Sequence, residues 1–353
     1  MKSLPYYDDL TARQTIKLRE LIKTLPPFAK EFFRAIDSTT QVRTRIAYAY
    51  DLRVFFHFLI DENPAYRNYS VLDFKVSDLD KIESVDLEEY MEYLKVYISE
   101  EQHKHMQNTE QGVFRKMSAL RSFYGYFYKR QLIEKNPTLL VDMPKIREKE
   151  IIRLEADEVA SLLDFVEHGG DHLTGQKRAY YEKTKERDLA IITLLLGTGI
   201  RVSELVGLNI DDVDFRNNGL HLIRKGRKEM TVYFGNEVAD ALEQYIEGSR
   251  KLIIPKEGHE DALFYSMQRR RIGVQAVQNL VKKYAKEVTP LKKITPHKLR
   301  STYGTTLYQE TGDIYLVADV LGHRDVNTTK KHYAAMDDAR RRKAATAVHL
   351  RED

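Results

Sequence analysis

The chain has no cysteine anywhere in its 353 residues. That excludes a disulfide framework and any zinc site built on thiolates. It also lacks a membrane-length apolar run, since none approaches the roughly 18 residues a spanning helix needs. The opening MKSLPYYDDL turns acidic soon after Lys2 and has no apolar core, so it does not read as a signal peptide. A cytoplasmic protein with no membrane partner is the simplest expectation. No internal repeat and no low-complexity tract is visible. A large excess of one charge is missing too: 57 Lys and Arg face 53 Asp and Glu, for a net charge of +4. A hydrophobic fraction of 42% suffices for ordinary cores. The length suggests two domains with room for an appendage.

The charge that is present is segregated. Residues 113–131 hold Arg115, Lys116, Arg121, Lys129 and Arg130 with no acidic residue, and residues 268–300 set ten Lys and Arg against Glu287 alone. Acidic residues gather at 78–100 and in DDVD at 211–214. Either basic run alone reads as a solvated face. Together they suggest surfaces that meet a polyanion.

Periodicity divides the chain. Residues 1–36 read as a helical amino-terminal appendage broken by Pro26-Pro27. Residues 37–140 carry three helical patterns, at 39–62, 86–99 and 109–132, and no strand signal, which predicts an all-helical domain. The charged stretch 141–153, with Pro144, reads as a linker. A second domain spans 154–353, with a basic tail at 334–353. It mixes helices with three strand-like pieces, VDF at 213–215, LHLIR at 220–224 and MTVYF at 230–234. Asn218-Gly219 and the KGRK turn at 225–228 join them, so a small antiparallel three-stranded sheet is expected. The fold class is therefore mainly α, a helical domain followed by a mixed α/β domain.

The chemistry concentrates near the carboxyl end, in PHKLRSTYGTTLYQETGDIYLVADVLGHRDVNTTKKHYAAM. His297 and Arg300 are three apart at the start of a helix that Thr295-Pro296 opens, a place that favours phosphate. Leu321-Gly322-His323 ends a helix and exposes an imidazole, and Tyr333 follows. Far upstream, GTGIRVSEL supplies Arg201 just beyond a glycine stop, with Glu204 three residues on. Lys225 sits on the hairpin turn.

Each of these has a commoner reading alone: a surface His-x-x-Arg pair, a C-capping histidine, an edge tyrosine, a solvated turn lysine. Jointly they describe a phosphodiester site. Two guanidiniums can neutralise the non-bridging oxygens, where charge grows in the transition state. A phenol can form a reversible phosphate ester if cations or a base assist a group whose ordinary pKa is about 10. Lys225 can protonate a leaving 5′ oxygen, and Glu204 can orient Arg201.

The order Arg, Lys, His-x-x-Arg, Gly-His, Tyr resembles the tyrosine recombinase/integrase family. GTGIRVSELVGLNIDDVD and the RKGRKE turn are similar to its Xer branch, and the overall length and amino-terminal extension to the stand-alone XerS type. The resemblance implies a core-binding domain and a catalytic domain that clamp duplex DNA at a short, partly palindromic site. It places Arg201, Lys225, His297, Arg300, His323 and Tyr333 in the active site, Glu204 in support, and Tyr333 as the nucleophile of a 3′-phosphotyrosyl intermediate. It implies no metal, no ATP and no other cofactor. It further implies a dimer on one site, a tetramer on two, and a role in resolving chromosome dimers at a dif-like site during segregation and division, where a DNA translocase or division protein is a candidate partner. The tail would dock on a neighbouring subunit. One departure stands out: His323 and Tyr333 are ten residues apart, where nine is usual in the family.

Candidates for DNA contact are Arg43, Arg45 and Tyr48, then Arg115, Lys116 and Arg121, and in the second domain Arg269, Arg270, Arg271 and Gln275. Three rival readings remain. They are a phage or mobile-element integrase, a non-catalytic sequence-specific DNA-binding protein, and, ranked last, a metal-dependent phosphoesterase on His297, His323 and His332.

Overall fold

The computed structural model describes residues 6–99, 104–146, 151–224, 228–323 and 326. The chain forms two compact units, Met1–Lys149 and Glu150–Asp353.

In the first unit the helices are α1 (Tyr6–Ile22), α2 (Ala29–Ala35), α3 (Val42–Glu62), α4 (Ser84–Tyr93) and α5 (Glu110–Lys129). With no tryptophan in the chain, phenylalanine and tyrosine fill the core. Along α5 the buried Val113, Met117, Leu120, Phe123, Tyr124 and Phe127 recur at helical spacing. Phe123 meets Phe127 edge-on at 5.0 Å and Phe32 at 5.2 Å between ring centroids. The segment read as an appendage enters this same core: Leu18, Leu21, Leu25, Phe32 and Phe33 belong to one buried cluster with Phe55, Phe56 and Phe127.

This unit is not all-helical. The pattern read as one helix over 86–99 ends at Tyr93, and a hairpin follows. Strand β1 (Val96–Ser99) pairs antiparallel with β2 (Lys104–Gln107), Val96 opposite Gln107. The physical reason is a change of period. Tyr97 is buried while Val96 and Ile98 are 59% and 58% exposed, the alternation of a strand. In sequence, Tyr97 also falls at helical spacing from Leu87, Tyr90 and Leu94, which is why the pattern extends to 99.

The second unit is built around α7 (Gly175–Thr198), whose residues 190–195 are buried. Beside it lie α6 (Ala156–His168) and the short α8 (Val202–Leu205). Strands β3 (Val213–Asp214), β4 (Gly219–Arg224) and β5 (Lys228–Tyr233) form an antiparallel sheet in that order. Helices α9 (Asn236–Tyr245), α10 (Val274–Val288), α11 (Pro296–Thr311) and α12 (Ile314–Leu321) complete it. Along β4, Leu220, Leu222 and Arg224 are buried while His221 and Ile223 are exposed.

Sequence signals for the helix ends in this unit are met by geometry. Gly199 stops α7 at φ +61, a left-handed conformation that glycine adopts without a Cβ clash. Asp313 caps α12 by accepting from the amides of Tyr315 and Leu316. Buried charge also braces the unit: Arg187 donates to Asp188 Oδ1, and Tyr284 donates to Asp188 Oδ2 at 3.0 Å.

Candidate active site

Arg201 begins where α7 ends. After the Gly199 turn, its backbone N–H donates to Glu204 Oε2 and its Nη1 to Glu204 Oε1, both at 2.8 Å. Glu204 is 5% exposed, so a buried carboxylate fixes both ends of the arginine. Arg201 itself keeps 37% of its side chain accessible. A cation aimed by a buried acid and open to solvent is suited to an incoming anion.

The carboxyl end of α12 gathers the rest. The last carbonyls of a helix have no partner inside it. Here Gly322 turns left-handed at φ +62, its N–H donates to Asp319 O, and the His323 N–H donates to Ala318 O, both at 2.8 Å. This is a Schellman stop, and it serves two carbonyls. Three guanidiniums reach the next ones. Arg224 Nη2 donates to Val320 O at 2.7 Å, Arg300 Nη2 to Leu321 O, and Arg201 Nη2 to Gly322 O at 3.1 Å. Arg224 Nη1 also reaches Asp319 O at 3.3 Å, and Arg300 Nη1 reaches Gly199 O at 2.5 Å. Residues from β4, the turn before α8, and α11 thus converge on four consecutive backbone oxygens. The negative end of the α12 dipole favours that gathering of cations.

Arg201, Glu204 and Arg300 are therefore brought together beside His323, which follows the Gly322 turn. His297 lies one turn before Arg300 on α11 and is exposed. Lys225, His332, Tyr333 and the tail at 334–353 lie outside the described residues. Arg224 was not singled out by sequence reasoning. Its signal was available: in the alternating β4 it occupies an inward register, with Leu220 and Leu222. Burial holds its pKa below the ordinary arginine value. Its Nε lies 3.9 Å from Glu204 Oε1, the carboxylate oxygen that also pairs with Arg201.

The residues expected on DNA divide into three sets. Lys116 is buried and donates to Asn108 Oδ1, with its pKa lowered by burial. Arg121 donates to Thr138 O and Val141 O, and Arg271 to Leu208 O and Asn209 Oδ1. These three hold loops within their own units. Arg45 pairs with Asp37, Arg115 with Asp51, and Tyr48 stacks over Phe32. Arg43, Arg269, Arg270 and Gln275 are exposed, Gln275 bonding Asn279 one turn on. Among the described residues, no three His, Asp or Glu side chains gather as metal ligands, and no helix is long and apolar enough to cross a membrane.

Residues 152–340 match the phage integrase family. Tyrosine recombinase XerC of Caldanaerobacter subterraneus subsp. tengcongensis is 36% identical, covering 97% of this chain and 92% of its own length. Tyrosine recombinase XerD of Oceanobacillus iheyensis is 30% identical, over 86% of this chain and 99% of its own. Among solved structures, the XerH recombinase in its pre-cleavage complex with difH aligns with a TM-score of 0.60 at 21% identity, covering 86% of this chain and 78% of that one. A lambda integrase dimer on a core site aligns with a TM-score of 0.59 at 14% identity, over 86% and 93%. At those identities the two structures speak for the fold. The chain belongs to the phage integrase family and is a tyrosine recombinase, a DNA strand transferase.

Proposed function

We propose that this chain is a site-specific recombinase of the Xer type that resolves chromosome dimers at a dif-like site. The observation that carries it is the convergence of Arg201 and Arg300, 99 positions apart (300 − 201), on the adjoining carbonyls of Gly322 and Leu321 beside His323. Relatives named XerC and XerD align along most of the chain and support the chromosomal role over a mobile-element one. The finer likeness to the stand-alone XerS type, acting without a second Xer partner, rests on the length and the amino-terminal segment alone.

In this reading Tyr333 Oη passes its proton to the His297 imidazole and attacks the scissile phosphorus as the bond to the 5′ oxygen breaks. Arg201 and Arg300 neutralise the non-bridging oxygens, with His297 and His323 donating alongside. Lys225 gives its proton to the leaving 5′ oxygen. A 5′ hydroxyl of the partner duplex then attacks the phosphotyrosine, its proton returns to the lysine, and the phenol leaves with the proton taken back from His297. Ester replaces ester at each step, so neither ATP nor metal is consumed. Two protomers clamp one partly palindromic site and four act on two sites, with exposed Arg43, Arg269, Arg270 and Gln275 meeting the duplex.

The test is covalent capture on a nicked duplex bearing the dif-like site of the chromosome that encodes the chain. Wild-type protein is expected to form an adduct that maps to Tyr333 and persists in excess chelator. Tyr333→Phe is expected to bind the site with unchanged affinity and form none. An adduct through another residue, or no adduct from wild-type protein bound to its site, would end this reading.

A further inference from the structure

We infer that Arg224 is a positioning residue for strand cleavage. Resting on the function proposed above, its part is to hold the α12 terminus and Glu204 in the arrangement that presents Arg201, Arg300 and His323 to the phosphate. The case is geometric. Arg224 is the inward end of β4, 8% exposed, and its fork spans two successive carbonyls, Asp319 O and Val320 O. Arg300 and Arg201 take the next two, Leu321 O and Gly322 O. Shifting any one guanidinium moves the backbone that the others grip.

Arg224 and Arg201 also approach the same oxygen of Glu204, at 3.9 and 2.8 Å. That carboxylate therefore sits between a buried cation and a half-open one. With Arg224 present, Glu204 is balanced from behind and Arg201 can face outward. Without it, the buried carboxylate draws Arg201 inward to compensate.

Gly322 shows how closely the parts fit. A Cβ there would come within 2.0 Å of Arg224 Nη1, so the close approach needs glycine as well as the positive φ. A buried guanidinium on a strand end is costly unless its donors are used. Here both terminal nitrogens serve a helix terminus that needs them, while Nε, with no hydrogen-bond partner among the described residues, lies 3.9 Å from Glu204 Oε1. Lysine cannot substitute, because a single ammonium does not span two carbonyls as a planar fork does.

The experiment compares full-length wild type, Arg224→Lys, Gly322→Ala and the double variant. Each is assayed for site affinity and for single-turnover covalent capture on the nicked duplex. Arg224→Lys is expected to bind with a Kd within about threefold of wild type and to capture roughly 100-fold more slowly, the scale of a small misplacement of reacting groups. Gly322→Ala displaces Arg224 from the opposite side and is expected to show the same split between binding and rate. The double variant is expected to be little worse than the slower single variant, because both changes break one arrangement.

The inference is overturned if Arg224→Lys captures at the wild-type rate, or if the two defects multiply. It is equally overturned if binding and thermal stability fall together with capture, which would make Arg224 a stabiliser of the fold alone. Failure of wild-type protein to form any adduct would instead count against the recombinase reading itself.

Discussion

Asp51 illustrates what one buried carboxylate does to its surroundings. It lies on α3, 3% exposed, with Oδ1 held by Arg115 at 2.7 Å and Oδ2 lacking a hydrogen-bond partner among the described residues. Burial pushes its pKa up to about 6, against the pull of Arg115 and Lys116. The folded protein therefore binds more protons than the unfolded chain between pH 3.8 and about 6, and this group's contribution to stability falls as pH rises through that window. A shift of that size corresponds to something on the order of 3 kcal/mol. Asp51→Asn removes the titration. In urea unfolding, the variant is expected to gain on wild type by about that much between pH 4 and pH 7. A difference independent of pH would show that Asp51 titrates normally.

At the scale of elements, α2 is the informative case. Its Phe32 and Phe33 are buried in the cluster shared with α3 and α5. Phe32→Ala is expected to lower unfolding free energy by about 3–5 kcal/mol, the cost of emptying an aromatic core site. A loss below about 1 kcal/mol would mean that the segment rests on the surface. Helices with clean periodicity and capped ends were legible in the sequence, as were the sheet and its Asn218-Gly219 turn, because local chemistry specifies them. The β1–β2 hairpin was not. Tyr97 fits a helix continued from Leu94 as well as a strand beginning at Val96, and only pairing with β2 decides between them. Arg201, Arg300 and His323 were recognisable by order along the chain. Arg224 was not, because a strand-end arginine beside a turn looks solvated until α12 is seen to need its donors. The same blindness applied to Lys116, Arg121 and Arg271, whose carbonyl and amide partners lie up to 65 positions away.

For the whole molecule, a net charge of +4 leaves little general attraction for DNA. Affinity must come from local contacts. If exposed Arg43, Arg269 and Arg270 each neutralise a phosphate, each alanine substitution is expected to reduce the slope of log K against log salt by about 0.9. Titrations at several salt concentrations measure it. Substitution of Arg121 or Arg271, whose donors are spent inside their units, is expected to leave that slope unchanged and to lower thermal stability instead. A slope that responds to Arg271 and ignores Arg269 would reverse the division.

The mooring of α12 fixes the point in the chain from which the proposed nucleophile is counted. Backbone and guanidinium bonds anchor the chain as far as His323. Tyr333, the nucleophile proposed above, follows ten positions later in the sequence (333 − 323). A polypeptide extends at most roughly 3.3–3.6 Å per residue, which gives a radius of about 35 Å around the anchor. Deleting residues from this stretch of sequence, without touching any side chain of the pocket, is the direct way to ask whose phosphate the proposed nucleophile reaches, its own protomer's or a neighbour's.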